Sequence, residues 1–390
     1  MSAPAWSDDV LRDVHRRHEA RESWASIAAD IGDDPTLARL RYSKASTGGR
    51  LARVLGGGHR SAPTPVAAGS GLPGRPGDAG SKRRHLSVSA DELALPGVVA
   101  APSIDRVAPT VHRWHVPAER TPNWEHWTLL LSDLHYDNPL CRRDLLRWYL
   151  DQARARRAGV CVIGDFHCGM EGKYDPRHAK GNVRPEYMRD DYLWALVEYG
   201  AALIAEYPDL AWLLTDGNHE TSILKRLEYD LTAMTAKEAM ARRGPGAPAV
   251  STGGYAGWII WQIAEPGGYR QERVTHYDHG SGMGGPVTKG VIGTNRRAVY
   301  TPDAHEVWTG HIHEAWYLEV TRERASMTGT TLDVQQHVCL GTLKEERLAG
   351  RGFHVERGRP PKPLGGWWRR LYWSHLDPPG YRVQYIRTEW

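Results

Sequence analysis

The sequence has few cysteines, no long hydrophobic run and little excess charge. Its four cysteines show no short paired spacing, which argues against a zinc knuckle or a disulfide framework and favours free thiols in a reducing compartment. Its apolar stretches are much shorter than the roughly 20 residues that a membrane helix requires, and the N-terminus lacks a basic region followed by an apolar one. A net charge of +4 permits a polyanionic partner without requiring one. We therefore expect a cytoplasmic protein that is not bound to a membrane.

The composition is that of a folded protein with more than one part. Hydrophobic residues make up 41% and charged residues 25% of the chain, which excludes a largely disordered protein. Its 390 residues exceed one typical domain. Changes in composition predict an all-α module at 1–44, a flexible linker at 45–108 and a catalytic domain at 109–390.

The first 44 residues show helical spacing of apolar residues in three short segments. Ser7 can cap the first helix, and the second places Ala28 on its inner face and ends at Gly32, a natural helix stop. The third follows Asp34 and Pro35. This pattern resembles a helix-turn-helix module, whose third helix would enter the major groove of DNA with its basic and hydroxyl side chains. The alternatives are a small helical bundle that contacts proteins and a simple N-terminal cap. The side chains available on the third helix are Arg39, Arg41, Tyr42 and Lys44.

The segment 45–108 is rich in Gly, Pro, Ala and Ser and contains scattered arginines and lysines. It cannot bury enough apolar surface to offset its chain entropy, so we expect a flexible tether. Its basic residues are either a solubilising feature or a contact to a phosphate backbone.

Five apolar runs in the remaining chain each stop at Asp, Asn or His, often beside a glycine that permits close backbone approach. Such runs read as buried strands, and open α/β sheets place their sites at strand ends. In the first run Asp133 and His135 are two residues apart, so a continuing strand would point both to one side. The five segments are TLLLSDLH (128–135), GVCVIGD (159–165), AWLLTDGNHE (211–220), RVTHYDHG (273–280) and VWTGHIH (307–313).

The order DLH, GD, GNHE, HG and GHIH resembles the calcineurin-like metallophosphoesterases, from about residue 127 to the C-terminus. The resemblance implies an α/β fold: a β-sandwich of two mixed sheets flanked by helices. It also implies a catalytic His219 beside the metal ligands, with Glu220 outside them orienting imidazoles. The implied ligands are Asp133, His135 and His313 for one metal, Asn218, His279 and His311 for the second, and Asp165 as the bridging and catalytic carboxylate.

The cofactors implied are two divalent metal ions. Such a pair neutralises an anionic phosphate ester, lowers the pKa of a shared water and stabilises the attacking and leaving oxygens. Mixed imidazole and oxygen ligands suit manganese, iron or zinc better than hard cations. We expect manganese, with iron, zinc or magnesium as alternatives.

Some assignments stay open from the sequence. His276 and His279 are both candidates for one ligand position, and the glycine after His279 favours the latter. His167, Cys168 and His178 are either additional ligands or, as we expect, surface residues of an inserted loop.

Two further segments have two readings each, and three more are predicted as strands. The glycine-rich stretch 280–300, with Lys289, Arg296 and Arg297, is either a mobile lid that contacts phosphates or a plain connection. The stretch GWWRRLYW (366–373) either stacks single-stranded bases or, as we expect, packs into the domain. Segments 316–322, 330–341 and 380–390 are predicted as strands that complete the second sheet.

These observations predict a metal-dependent phosphoesterase that hydrolyses phosphodiester bonds, namely a DNA nuclease targeted by its N-terminal module. The alternative enzyme is a phosphomonoesterase, or a small-molecule or cyclic-nucleotide phosphodiesterase, with the N-terminal helices as a protein-docking unit. A non-enzymatic scaffold with a vestigial site is disfavoured because the ligand set is intact.

Overall fold

The computed structural model describes residues 6–20, 22–32, 38, 42, 102–169, 180–280 and 290–388. The chain divides into two units, Met1–Arg84 and His85–Trp390. Among the described residues, no helix has the length and apolar character needed to cross a bilayer.

The first unit begins with two capped helices, α1 (Asp8–Glu19) and α2 (Trp24–Asp30). The side chain of Ser7 accepts the N–H of Val10, and the side chain of Ser23 caps α2 in the same way. The helices bury the apolar residues that their spacing predicts: Leu11, Val14, Ile27 and Ala28.

The first two predicted helices are thus confirmed. Ala38 and Tyr42 of the third are helical, but Arg39, Arg41 and Lys44 lie outside the described residues, and so do residues 45–101 of the predicted linker. The helix-turn-helix assignment therefore stays a prediction.

The second unit is built from two mixed sheets flanked by helices, as the sequence predicts. The six-stranded sheet has the order β13-β12-β3-β4-β5-β6, and the seven-stranded sheet has the order β1-β2-β7-β8-β9-β11-β10. The strands are β1 Ser103–Ala108, β2 Val111–Pro117, β3 Glu125–Leu131, β4 Gly159–Ile163, β5 Trp212–Thr215, β6 Val250–Gly253, β7 Ala256–Ala264, β8 Arg270–Asp278, β9 Glu306–Thr309, β10 Trp316–Ser326, β11 Gly329–Cys339, β12 Trp367–Ser374 and β13 Gly380–Arg387. The helices of this unit are α3 Arg143–Ala155, α4 Tyr192–Ala205, α5 Asn218–Leu227, α6 Leu231–Arg243, α7 Val291–Tyr300 and α8 Phe353–Glu356.

The central strands of the six-stranded sheet are buried along almost their whole length because both faces of the sheet are covered. Leu129 and Leu131 of β3 belong to a core with α3 and α4, whereas Leu130 belongs to a core shared with Trp261 and Trp308 of the other sheet. Strands β3, β4, β5 and β6 run parallel, so their C-terminal ends lie at one edge. This edge positions the motifs that follow β3, β4 and β5.

A buried ion pair joins the two sheets. The Arg369 guanidinium of β12 lies 2.6 Å from the Glu306 carboxylate of β9, and both side chains are inaccessible to solvent. Burial opposes ionisation of Glu306, but Arg369 lowers its pKa to about 2. The residues predicted to pack in 366–373 are therefore packed: Trp367, Trp368 and Arg369 are buried, and the segment is a strand between β3 and β13.

Three expectations about the element boundaries were wrong. Residues 103–108, assigned to the linker, form β1, because Ile104 packs into the core between the sheets. Part of the glycine-rich stretch is helix α7 rather than a loop, and Arg297 within it pairs with Asp278 at 2.7 Å, while residues 281–289 lie outside the described part. The final strand β13 pairs with β12 in the first sheet, not the second.

Candidate metal centre

The candidate centre lies where loops from both sheets meet. The loops after β3, β4 and β5 come from the six-stranded sheet, and those after β8 and β9 come from the other. Three hydrogen bonds tie the loops together: His279 Nδ1 to the Ile163 carbonyl at 2.8 Å, the Gly310 N–H to the His279 carbonyl at 3.0 Å, and the His311 N–H to Asp133 Oδ2 at 2.9 Å. All seven predicted metal ligands are brought to this place.

The backbone at the centre is unusual, because several ligand candidates that are not glycine adopt left-handed conformations. Their φ angles lie between 47° and 72°. Such conformations are costly for residues with a side chain and concentrate at functional sites. Asp133 and His135 therefore converge through left-handed turns after β3 ends at Leu131, and the predicted strand alternation is not the reason. The five residues are Asp133, His135, Asp165, His311 and His313.

The first group consists of Asp133, His135 and His313, all buried. His313 Nε2 lies 3.1 Å from Asp133 Oδ1 and 3.3 Å from His135 Nε2. Asp133 Oδ2 accepts hydrogen bonds from Ser132 and His311, whereas its buried Oδ1 has no hydrogen-bond donor. A carboxylate oxygen without a donor beside two converging imidazole nitrogens is a set that a borderline cation satisfies.

The second group consists of Asp165, His279 and His311, with Asn218 beside them. Since the Ile163 carbonyl can only accept, His279 Nδ1 donates to it, and Nε2 faces the centre. That Nε2 lies 3.3 Å from Asp165 Oδ2 and 3.3 Å from Asn218 Oδ1, which is also 2.7 Å from His311 Nδ1. Again, acceptor atoms converge on one point, which suits a cation.

Asp165 lies between the two groups. Its Oδ2 is 3.3 Å from His279, 3.8 Å from His219 and 4.0 Å from His135, measured to Nε2 in each case. Burial alone would raise the pKa of Asp165, but the His279 and His219 imidazoles hold it well below its ordinary value. A carboxylate that stays ionised and faces both groups fits the predicted bridging position.

His279 shows the charge that this centre favours. Burial lowers the pKa of His279, but the Asp165 and Asp133 carboxylates outweigh it and raise that pKa to about 10. The two carboxylates therefore stabilise positive charge at the imidazole, which a divalent cation supplies in place of a proton.

His219 is held beside the centre by two bonds. Its backbone N–H donates to Asp165 Oδ1 at 3.0 Å, and its Nδ1 bonds to the Cys168 carbonyl, which directs Nε2 toward Asp165. Its side chain is 11% exposed, whereas those of Asp133 and His279 are wholly buried. A fixed imidazole at the accessible side of a buried centre suits proton transfer with a substrate, and this role stays a prediction.

Glu220 hydrogen-bonds to the backbone of the loops rather than to an imidazole. Its buried carboxylate accepts the backbone N–H groups of Asp165, His167 and Gly217 at 2.9 to 3.1 Å. Burial and the neighbouring Asp165 carboxylate raise its pKa to about 8. Glu220 thus fixes the backbone that carries Asp165 and opens α5, instead of orienting a histidine as the resemblance implies.

The histidines left open by the sequence are placed clearly. His276 packs against Trp258, with ring centroids 4.7 Å apart, and belongs to neither group, so His279 is the residue at the centre. The expectation that His167 and Cys168 lie on the surface was wrong, because both are buried. Cys168 packs in a cluster with residues of α4 and α6. His178 lies outside the described residues.

The two buried residues have different surroundings. His167 Nε2 turns to the Thr235 hydroxyl at 3.1 Å. Cys168 lies with His135 and His219 in a third group whose potential ligand atoms are within 4.8 Å of one another. Cys168 is therefore the one of the two that borders the centre.

Sequence reasoning missed a cluster next to His313. His354, Glu346 and Lys344 come from the segment after β11, and the His354 ring packs against the His313 ring with centroids 4.9 Å apart. No motif or apolar run marks this segment, so only the fold reveals its position.

No protein-family model and no curated protein sequence matches this chain. Solved structures with detectable similarity include a predicted phosphoesterase from Streptococcus pneumoniae, with 10% identity, a TM-score of 0.24 and coverage of 68% of this chain and 98% of that one. The calcineurin-like phosphoesterase YfkN from Bacillus subtilis has 10% identity, a TM-score of 0.30 and coverage of 68% and 90%. Zinc-bound Vps29 from Entamoeba histolytica has 10% identity, a TM-score of 0.27 and coverage of 67% and 98%.

Three observations indicate the same kind of fold and site: the order of the motifs, the two mixed sheets and the convergence of the seven side chains. The described residues contain His and Asp clusters able to bind metal. The second unit of this chain resembles the calcineurin-like metallophosphoesterases in its fold and in the residues gathered at its strand ends.

Proposed function

We propose that the chain is a two-metal phosphodiesterase, namely a DNA nuclease targeted by its N-terminal module. The observation that supports this best is the pair of ligand groups around Asp165. Asp133, His135 and His313 form one group, and His279 and His311 lie in the other, so one carboxylate faces both. This arrangement suits two cations that act on one phosphate.

In this proposal the first group and the second group would each hold one divalent cation, with Asp165 as the carboxylate that faces both groups. When bound, the cations neutralise the phosphate and lower the pKa of a shared water. The chain itself fixes the position of the ligands, because Glu220 accepts hydrogen bonds from the backbone N–H groups of Asp165 and Gly217. His219, with Nε2 toward the centre and a partly exposed side chain, moves a proton at the leaving oxygen.

In this proposal the donor set suits manganese, iron or zinc, because imidazole, carboxylate and amide ligands together favour a borderline cation over calcium or magnesium. Manganese is the ion proposed. Metal analysis of the purified protein and activity after metal replacement distinguish these choices.

The DNA substrate is supported by the N-terminal unit. Ala28 of α2, with no large side chain, is fully buried, which is consistent with the close helix crossing of a helix-turn-helix module. The basic residues of the third segment then supply contacts to the DNA.

The test is a gel time course with Mn²⁺ and end-labelled single-stranded and double-stranded DNA. Wild type, His219→Ala and the control His375→Ala are compared, because His375 is an exposed histidine of the β12–β13 turn. Cleavage that is lost only in His219→Ala supports a nuclease. Absence of DNA cleavage by metal-loaded wild type overturns the proposal in favour of a phosphomonoesterase or a small-molecule phosphodiesterase, with the N-terminal helices as a protein-docking unit.

The targeting role has its own test, deletion of residues 1–44. The expected result is weaker DNA binding with unchanged hydrolysis of bis(p-nitrophenyl) phosphate. Unchanged DNA affinity and cleavage would show that the module does not target the enzyme.

A further inference from the structure

The segment after β11 is fixed against the loop that carries Asp133. The Thr342 hydroxyl donates to the Asp133 carbonyl at 2.8 Å, and the Leu343 N–H approaches the same oxygen at 3.3 Å. The Arg142 N–H donates to the Leu343 carbonyl at 2.9 Å. Lys344, the next residue, is therefore held in a constant position relative to the candidate centre.

A buried carboxylate orders the side chains of this segment. Glu346, only 5% exposed, forms an ion pair with Lys344 Nζ at 2.8 Å. It also accepts the backbone N–H of His354 at 2.6 Å and lies 3.2 Å from His354 Nδ1. The His354 ring lies against His313. Glu346 thus couples the Lys344 ammonium to the outer side of the first ligand group.

A small pocket, partly open to solvent, lies in this region between residues 344–347, 354–355 and 359–362. Four basic side chains line it against two acidic ones, Glu345 and Glu346. One of the basic residues, Lys362, is paired with Glu314, the residue after His313. The pocket is therefore positively charged and begins at the edge of the first ligand group.

Lys344 lies between the Asp133 loop and the pocket. The two residues before it bond to the Asp133 carbonyl, and its own side chain, 13% exposed, lines the pocket. An ammonium in this position is placed to meet an anion that enters beside the centre.

We propose that Lys344, held by Glu346, binds the phosphate that neighbours the scissile phosphate of a nucleic-acid strand. This inference rests on the proposed phosphodiesterase function and names a specificity residue for it. The scissile phosphate belongs at the ligand groups, and the rings of His313 and His354 separate those groups from the pocket. A strand that extends past the centre brings its next phosphate to the pocket, where a lysine acts as a point charge.

The test compares two diester substrates under Mn²⁺. Tetrathymidylate carries neighbouring phosphates, and bis(p-nitrophenyl) phosphate carries none. Lys344→Gln should lower the ratio of kcat/KM for tetrathymidylate to that for bis(p-nitrophenyl) phosphate by about 10-fold, since a hydrogen-bonded charge contact is worth about a factor of ten. Lys344→Arg should restore most of the ratio, and Lys237→Gln, an exposed lysine of α6, should leave it unchanged.

A binding measurement tests the same contact without turnover. Fluorescence anisotropy of fluorescein-labelled tetrathymidylate in EDTA is recorded between 50 and 200 mM salt. Loss of one phosphate contact should reduce the slope of log affinity against log salt by about 0.7 in Lys344→Gln. If Lys344 only supports the fold, Lys344→Gln leaves this slope unchanged. The control Lys237→Gln should keep the wild-type slope.

The outcomes separate the two proposals. Equal losses on both substrates, or an unchanged salt slope, overturn the role of Lys344 and leave it a structural ion pair with Glu346. If wild type hydrolyses neither diester, the proposed function fails, and the anisotropy comparison still decides whether Lys344 binds the strand.

Discussion

Gly217 is the position where a single methyl group should do most harm to the centre. A Cβ added at Gly217 would lie 2.1 Å from Asp165 Oδ1 and 2.4 Å from the Asp165 backbone nitrogen. Real Cβ atoms essentially never approach other atoms closer than 3.0 Å, so the Asp165 carboxylate must move. The backbone at Gly217 is extended, with φ −108° and ψ −172°, and any residue can adopt it. The effect of Gly217→Ala is therefore steric, and the three nearest atoms that the new Cβ would meet all belong to Asp165.

The magnitude follows from the displacement. Moving Oδ1 from 2.1 Å to at least 3.0 Å from the new Cβ shifts the carboxylate by close to an ångström, and a misplacement of about 1 Å costs on the order of 10²-fold in rate. Overpacking costs a further ~1–3 kcal/mol of stability. We expect Gly217→Ala to lower kcat about 100-fold and to reduce the bound metal.

The assay is hydrolysis of bis(p-nitrophenyl) phosphate together with metal analysis and thermal unfolding. Gly267→Ala is the matched control, because a Cβ at Gly267, in the turn between β7 and β8, meets no atom within 4 Å. The control should behave as wild type. Wild-type turnover and metal content in Gly217→Ala would refute the reasoning, since Asp165 would then tolerate a shift that the geometry forbids.

Three further predictions follow from the same structure. His219→Ala should lower turnover by about 10²–10⁴-fold with metal content nearly unchanged, and loss of metal instead would make His219 a ligand. Asp165→Asn should empty both metal positions, which metal analysis checks, because its carboxylate faces both groups. Glu306→Gln should destabilise the protein by about 3–5 kcal/mol at neutral pH, because it leaves Arg369 buried without its partner. Because the pKa of Glu306 is lowered, its ionised carboxylate stabilises the fold fully above pH 4.5, and this stabilisation is lost as pH falls toward about 2. The difference in unfolding free energy between wild type and Glu306→Gln, measured by denaturant titration, should therefore shrink over that range. A difference that is constant with pH would argue against the ion pair.

Much of the second unit could be read from local pattern. The apolar runs that end at Asp, Asn or His became β3, β4, β5, β8 and β9. The runs of β4 and β5 were the clearest, because a strand buried on two faces is apolar at almost every position. The sheet that the β12–β13 hairpin joins was not readable, because it is decided by the pairing of β12 with β3, which are far apart in sequence.

The left-handed turns at the centre were also not readable from alternation. Asp133 and His135 converge because the Asp133 N–H donates to the Gly164 carbonyl and the His135 N–H donates to the Asp165 carbonyl, contacts between loops of different strands. The burial of Cys168 has a similar cause, since Asp137 accepts the Gly169 N–H and the Tyr192 hydroxyl and holds that loop inside.

The sequence by itself determined the chemical types of the centre and their order along the chain, because ligand atoms and apolar strands are properties of individual residues and short segments. Only the tertiary structure decided which histidine, His279 or His276, enters the centre, and only it brought Lys344 and Glu346 beside His313. The physical reason is that proximity between residues far apart in sequence is set by how two sheets pack and which loops hydrogen-bond, and no local pattern encodes that distance.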